Sequence, residues 1–132
     1  MDLAIGAPGW DESASSSNEG QVLVLYGGAA FPRTAGTRVV DAAFLSTYTG
    51  VRYVGGVTYN RLGAALASGD VNGDRVGDLL AGAAGRNTSG QLTSDKYGAA
   101  YLFLGSRVAS DLPLRAVLSS ATNSRLTVRS TQ

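Results

Sequence analysis

The chain has 132 residues and is nearly balanced in charge, with eleven basic residues, ten acidic residues and a formal net charge of +1. That balance gives no electrostatic reason to expect nucleic acid as a partner. No apolar run approaches the roughly twenty residues that a membrane-spanning helix needs. The sequence contains neither cysteine nor histidine, which excludes Cys/His zinc sites, thiol catalysis and histidine-based triads within this chain.

From its amino terminus onwards, the chain repeats itself. Residues 2–9 (DLAIGAPG) align with residues 78–85 (DLLAGAAG), an offset of 76 from position 2 to position 78. Residues 20–27 (GQVLVLYG) align with residues 98–105 (GAAYLFLG), an offset of 78 from position 20 to position 98. Because the two-residue difference falls in the loop between the segments, this self-similarity indicates one duplicated supersecondary unit.

The β-prone segments of the chain are short and are separated by polar or glycine-containing loops, a pattern typical of antiparallel strands. Polar loops are predicted at residues 10–19 and 86–97. Small residues between 59 and 68 suit a crowded innermost strand, and 115–119 with 125–129 are predicted as the outer strand of the second unit. The predicted strands and β-prone runs are 3–8, 21–26, 38–46, 51–57, 59–68, 79–84, 99–104, 115–119 and 125–129.

The most informative stretch is the loop between the predicted strands at 59–68 and 79–84, SGDVNGDRVGD at residues 68–78. Its oxygen-bearing residues fall at alternating positions, which is the spacing by which a tight loop surrounds a hard cation, and calcium takes six to eight such ligands. A solvated turn has the same composition, but three carboxylates within nine residues would repel one another there. The sequence therefore predicts a Ca2+ site with side-chain ligands Asp70, Asn72, Asp74 and Asp78 and the backbone carbonyl of Val76.

These segments resemble the FG-GAP repeat of integrin α-subunit β-propellers and their bacterial relatives. The resemblance rests on Leu62-Gly63 before the loop, the loop itself and Gly82-Ala83-Ala84 after it, and residues 6–8 carry the family's Gly-Ala-Pro intact. It implies an all-β fold of four-stranded antiparallel propeller blades, with about one and three-quarter blades in this chain. Residues 1–58 would form a partial blade holding the second to fourth strands, and residues 59–132 a full blade with the calcium loop at 70–78.

The resemblance also implies a function. It indicates a secreted, cell-surface or periplasmic module in which calcium is structural and which binds a protein or glycan ligand, without being an enzyme. Other propeller blades are the expected partners, either further repeats of a longer chain or copies of this one. Two alternatives stay open: the non-catalytic repeat region of an exported hydrolase or lyase, and an engineered fragment that assembles a propeller from several copies.

One residue of the loop departs from the family pattern. Arg75 stands at the sixth position, where the family usually has glycine because the loop turns sharply there. A residue with a Cβ is strained at that position if the backbone adopts positive φ. We therefore expect a weak calcium affinity, in the millimolar range that suits extracellular sites.

The first polar loop offers the remaining functional candidates. Asp11, Glu12 and Glu19 could in principle supply a carboxylate pair for acid–base chemistry, but a charged, solvated loop is the favoured interpretation. Trp10 at the loop entrance could contact a ligand, although packing against a neighbouring segment is favoured. No catalytic residue is therefore predicted.

Overall fold

A computed structural model describes residues 2–28, 36, 50–56, 58–85 and 98–106, together with the backbone of 115–117. Within these ranges all regular structure is β, which confirms the predicted fold class. The predicted β-prone runs at 38–46 and 125–129 and the loop at 86–97 lie outside the described residues. The strands are β1 (Leu3–Ala7), β2 (Gln21–Leu25), β3 (Gly50–Val54), β4 (Leu62–Gly69), β5 (Asp78–Ala83), β6 (Ala99–Phe103) and β7 (Arg115–Val117).

The first sheet has the strand order β1-β2-β3-β7. Strands β1, β2 and β3 are antiparallel neighbours, and the register places Gly6 opposite Val22 and Val22 opposite Tyr53. Strand β7 pairs with β3 in parallel. The prediction that residues 115–119 form the outer strand of the second unit is therefore wrong for Arg115–Val117, because the edge of β3 not used by β2 offers backbone groups with which another strand can pair.

The second sheet has the order β4-β5-β6, and both of its pairings are antiparallel. The register between β4 and β5 shifts between Leu62 and Ala65, where Gly63 has a φ of 90°. Glycine adopts that conformation without the steric cost that a Cβ would bring. The two sheets are consistent with partial propeller blades, and the boundary at residues 58 and 59 between two units stays a prediction.

The hydrophobic core lies between the two sheets. Val22 and Leu62 are fully buried, and the Tyr53 ring of the first sheet stacks on the Phe103 ring of the second at a centroid distance of 3.9 Å. Burying one such aliphatic side chain stabilises the fold by about 1.5–3 kcal/mol. The buried residues of this cluster are Val22, Val51, Tyr53, Leu62, Ala81, Ala83 and Tyr101.

Backbone hydrogen bonds join the sheets where the chain passes from the first to the second. Arg61 and Leu62 donate their N–H groups to the carbonyls of Asn18 and Glu19 at 2.9 and 3.1 Å. Gly20 forms a parallel bridge with Leu62, and a Cβ at Gly20 would lie 2.3 Å from the Leu62 nitrogen. The start of β4 is therefore held directly against the first sheet, at a position that only glycine permits.

Asn60 fixes the same connection from the inside. Its side chain is fully buried, and its Nδ2 donates to the carbonyl of Gly55 at 2.8 Å. Its own backbone carbonyl accepts the N–H of Gly85 at 3.3 Å. Asn60 thus links the end of β3 to the turn after β5. These hydrogen bonds connect the first sheet to the second.

Candidate metal site

The predicted calcium loop connects β4 to β5 at one end of the second sheet. Asp70 follows β4 directly, and Asp78 is the first residue of β5, so the residues between them span the gap between two paired strands. Gly69 pairs with Asp78 in the sheet register. The strand pairing therefore brings the first and the last predicted ligand to the same end of the sheet.

Asp70 organises the first half of the loop. Its Oδ1 accepts the backbone N–H groups of Gly73 at 2.7 Å and Asp74 at 3.1 Å, and its Oδ2 accepts that of Arg75 at 2.8 Å. An aspartate that accepts nearby backbone N–H groups stabilises a tight turn. The chain consequently wraps around this one carboxylate.

Asn72 and Asp74 lie beside each other in the same turn. The Asp74 N–H donates to Asn72 Oδ1 at 3.0 Å, and Asn72 Nδ2 donates to Asp74 Oδ2 at 2.9 Å. The Val76 N–H donates to Asp74 Oδ1 at 2.8 Å. Three of the predicted side-chain ligands, Asp70, Asn72 and Asp74, are thus brought together by hydrogen bonds inside one loop.

The turn requires two left-handed residues. Gly73 has a φ of 78° and Arg75 a φ of 66°. The condition under which the sequence analysis expected strain at Arg75 is therefore met, and a non-glycine residue in that region is strained by about 1–2 kcal/mol. The loop retains this strain because the Asp70 carboxylate holds the Arg75 N–H in place.

Asp78 has a different environment from the other acidic residues of the loop. Only 2% of its surface is exposed, and its two oxygens accept the N–H groups of Gly105 and Val71, each at 2.8 Å. The hydrogen bond from Gly105 lowers the pKa of Asp78 most, and those from Val71 and Asn72 lower it further, against an opposing effect of burial. Asp78 therefore connects the loop and β5 to the end of β6 as an ionised group.

The equivalent residue of the first unit makes the same connection. Asp2 Oδ1 accepts the Gly27 N–H at 2.9 Å, as Asp78 Oδ1 accepts the Gly105 N–H. We name this contact the strand clamp. Sequence reasoning assigned Asp78 to metal alone and missed the clamp, although an aspartate and a glycine recurring in both units at offsets of 76 and 78 are the signal for it.

Calcium suits the chemistry of this donor set, since carboxylate, amide and carbonyl oxygens are its preferred ligands. In the part of the chain that the structure describes, no three acidic or histidine side chains are grouped so that they could hold a metal ion. Asp70 and Asp78 are engaged by backbone N–H groups instead. The assignment of Asp70, Asn72, Asp74, Val76 and Asp78 to calcium stays a prediction.

The loop between β1 and β2 uses its polar residues to hold its own shape. The Asp11 carboxylate accepts the Asn18 N–H, and the Glu19 carboxylate accepts the Glu12 N–H at 3.3 Å. The guanidinium carbon of Arg52 lies 4.2 Å from the centroid of the Trp10 ring, and Arg52 Nε donates to Gln21 Oε1 at 2.9 Å. Trp10 thus packs against β3 of its own sheet, and the acidic residues brace the loop.

Comparison with known proteins identifies the second sheet. Residues 62–103 match the family model of the FG-GAP repeat. This segment is similar to an FG-GAP repeat. The match runs from the start of β4 to the end of β6 and includes the whole loop, which confirms the resemblance found in the sequence. No curated protein and no solved structure matches the chain.

FG-GAP repeats are typically non-catalytic structural modules of extracellular proteins, and a single repeat implies association with other blades. The residues that the structure describes include no helix with the length and apolar character needed to cross a membrane.

Proposed function

We propose that this chain is a calcium-stabilised segment of an FG-GAP β-propeller that acts outside the cytoplasm as a scaffold or as a recognition module for a protein or glycan. The proposal assigns it no catalytic role. It is supported by the FG-GAP match over residues 62–103 and by the two packed β-sheets. The secreted, cell-surface or periplasmic location follows from the kind of protein in which such repeats are typically found.

The observation that carries the calcium assignment is the shape of the loop at residues 70–78. Asp70, Asn72 and Asp74 are already gathered in one turn by five backbone and side-chain hydrogen bonds among residues 70–75. These three residues, Asp78 and the Val76 carbonyl would hold the cation. Calcium would supply positive charge that offsets the repulsion between the carboxylates, and so stabilise the end of the second sheet.

The proposed role is structural because the loop connects two paired strands. Binding of a cation to the folded loop alone stabilises the fold by mass action. The left-handed Arg75 is a strained residue within the loop, so we place the affinity in the weak, extracellular range of about 0.1–1 mM. Such a site is filled where calcium is abundant.

The test is calcium-dependent thermal unfolding combined with titration calorimetry. At a calcium concentration ten times the dissociation constant, we expect a stabilisation of about 1.4 kcal/mol, which raises Tm by about 4 °C. Asp74→Asn keeps an oxygen for the Val76 N–H but removes a charge, so we expect it to weaken calcium binding at least about tenfold.

Asp11→Asn is the matched control, because Asp11 also accepts a backbone N–H in a polar loop but lies in the loop between β1 and β2. It should leave the calcium effect unchanged. Equal calcium-induced rises in Tm for Asp74→Asn and for the parent would show that the loop is a hydrogen-bonded turn without a metal role.

A further inference from the structure

The Asn72-Gly73 pair in the loop between β4 and β5 has the chemistry of a peptide link that can modify itself. An asparagine side chain carries an amide carbon that the backbone nitrogen of the next residue can attack, and a glycine puts no side chain beside that nitrogen. Among the five asparagines of the chain, Asn72 alone is followed by glycine. Apart from its chain neighbours, no heavy atom lies within 4 Å of the place of a Cβ at Gly73, so the attacking nitrogen is sterically open.

The reaction in question is deamidation through a cyclic imide, and its only co-reactant is water. The Gly73 nitrogen loses its proton and bonds to Asn72 Cγ, while the bond from Cγ to Nδ2 breaks and Nδ2 leaves with that proton as ammonia. Water then adds to one carbonyl carbon of the imide and breaks its bond to the Gly73 nitrogen. Addition at Cγ gives aspartate, whereas addition at the backbone carbonyl carbon gives isoaspartate, whose main chain is one carbon longer.

The folded loop restrains the attacking nitrogen. The Gly73 N–H donates to Asp70 Oδ1 at 2.7 Å. A hydrogen bond to an ionised acceptor is stronger than one to a neutral acceptor, so it keeps the proton on the nitrogen. Negative charge that develops on this nitrogen is also repelled by the Asp70 carboxylate. Asp70 therefore lowers the reactivity of the nucleophile.

The amide that would be attacked is restrained as well. Asn72 Oδ1 accepts the Asp74 N–H at 3.0 Å, and Asn72 Nδ2 donates to Asp74 Oδ2 at 2.9 Å. Attack requires the carboxamide to turn its carbon towards the Gly73 nitrogen, because the reacting atoms must be close and aligned. Both hydrogen bonds oppose that rotation. Burial does not contribute to the restraint, since residues 71–75 are all exposed.

We propose that Asn72-Gly73 is a site of spontaneous deamidation, which the folded loop suppresses through the Asp70 carboxylate and which opening of the loop releases. Loops held by exposed hydrogen bonds open locally without unfolding of the whole protein. The inference goes beyond the proposed function and requires no cation, because the hydrogen bonds on which it depends lie within the chain.

The product of the reaction weakens the turn from which it forms. Aspartate at position 72 has no N–H to donate to Asp74 Oδ2, and its carboxylate lies against that of Asp74. Asn72→Asp reproduces this product, and in a chelator we expect it to lower Tm by about 2 °C or more. An unchanged Tm would contradict the coupling between deamidation and loop opening.

The test follows deamidation of the full chain at neutral pH in a chelator, by mass spectrometry of peptides and by enzymatic methylation of isoaspartate. Asp70→Ala removes the acceptor of the Gly73 N–H, so we expect Asn72 to deamidate about tenfold faster than in the parent. Asp11→Ala is the matched control, because Asp11 accepts a backbone N–H in the loop between β1 and β2. It should leave the rate at Asn72 unchanged. Equal rates in Asp70→Ala and in the parent would overturn the proposal.

The same measurement in urea keeps the test decisive if Asp70→Ala does not fold. We expect the unfolded parent to deamidate at Asn72 at least about tenfold faster than the folded parent, and at the same rate as unfolded Asp70→Ala. Gly73→Ala in urea should slow the reaction, because a side chain then stands beside the nitrogen. A folded parent as reactive as the unfolded one, or an unfolded Gly73→Ala as reactive as the unfolded parent, would overturn the proposal.

Repeating the incubation in calcium tests the proposed metal role separately. A slower reaction at Asn72 in calcium than in the chelator would support binding of the cation by the loop. Equal rates would count against the metal role alone, because the comparison of the parent with Asp70→Ala in the chelator decides the deamidation proposal.

Discussion

The two sheets of this chain are built from one repeated pattern but differ in what lies against them. In the first sheet, the face containing Gly6 and Val22 is covered by the second sheet, and Gly20 holds the start of β4. In the second sheet, the corresponding face exposes Leu80 and Leu104. The comparison shows that this face of the first unit is completed by the second unit, as expected for repeat proteins in which each repeat contacts its neighbours.

The strand clamp shows a second difference between the sheets. Asp2 and Asp78 accept equivalent backbone N–H groups, from Gly27 and Gly105. Asp2 is exposed, whereas Asp78 is buried and also accepts the Val71 N–H from the loop before it. The contact shared by both units is therefore the clamp, and in the second unit the loop contributes the Val71 N–H to the same carboxylate.

The largest loss of stability is expected when the two left-handed glycines Gly20 and Gly98 are compared by substitution. Gly98→Ala should destabilise the protein by about 1 kcal/mol through backbone strain alone. Gly20→Ala carries the same strain and also places a Cβ 2.3 Å from the Leu62 nitrogen, so we expect a loss of about 4 kcal/mol. Urea unfolding measures the loss of stability in each variant. Equal losses would show that the close approach of Leu62 to Gly20 adds nothing to the effect of backbone strain.

An effect of intermediate size is expected on the pH dependence of stability when the strand clamp is changed. Because the hydrogen bonds lower the pKa of Asp78 in the folded state, its contribution to stability is present above the unfolded aspartate pKa of about 3.9 and is lost as the pH falls through the lower folded value. Asp78→Asn should therefore lower the stability at pH 7 and flatten the loss of stability below about pH 4.

Asp2→Asn is the matched control for that experiment, since Asp2 makes the same clamp on an exposed surface. Its effect on stability at pH 7 should be smaller, because water can replace a lost hydrogen bond at an exposed group. Thermal unfolding between pH 2.5 and about 7 follows both variants over the range in which carboxylates titrate. A steeper acid loss in Asp78→Asn than in the parent would contradict the ionised clamp.

The smallest expected change in stability is that of substitutions at Arg75. Arg75→Gly relieves the left-handed strain but increases the entropy of the unfolded chain, so we expect a net stabilisation of about 0.5–1 kcal/mol. Arg75→Ala keeps the Cβ while removing the guanidinium, and should not stabilise the protein. Urea unfolding in a chelator compares the two, and equal stabilities would show that charge rather than backbone conformation matters at this position.

Much of the second sheet was predictable because its signals are local. Predicted strands at 79–84 and 99–104 differ by one residue from β5 and β6, and the alternating Asp70, Asn72 and Asp74 form the tight turn that their spacing indicates. The place of Arg75 in the loop indicated strain if its φ were positive, and the structure gives it a φ of 66°. Asp78 was interpreted less completely, because its partner Gly105 lies just beyond the end of β6, 27 residues away along the chain.

The amino-acid sequence alone established the duplicated unit, five of the strands and the acidic loop, since periodicity, turn residues and spacing act between near neighbours along the chain. Three features could be found only in the folded structure. They are the parallel pairing of β7 with β3, the strand clamp, and the difference in contacts at equivalent glycines. Gly6 and Gly20 lie against the backbone of Leu62 and Gly63, whereas Gly82 and Gly98 have no such close neighbour. Each depends on which distant segment lies against a given surface. That choice is made by the packing of whole sheets against each other, and the pattern of a single strand does not contain it.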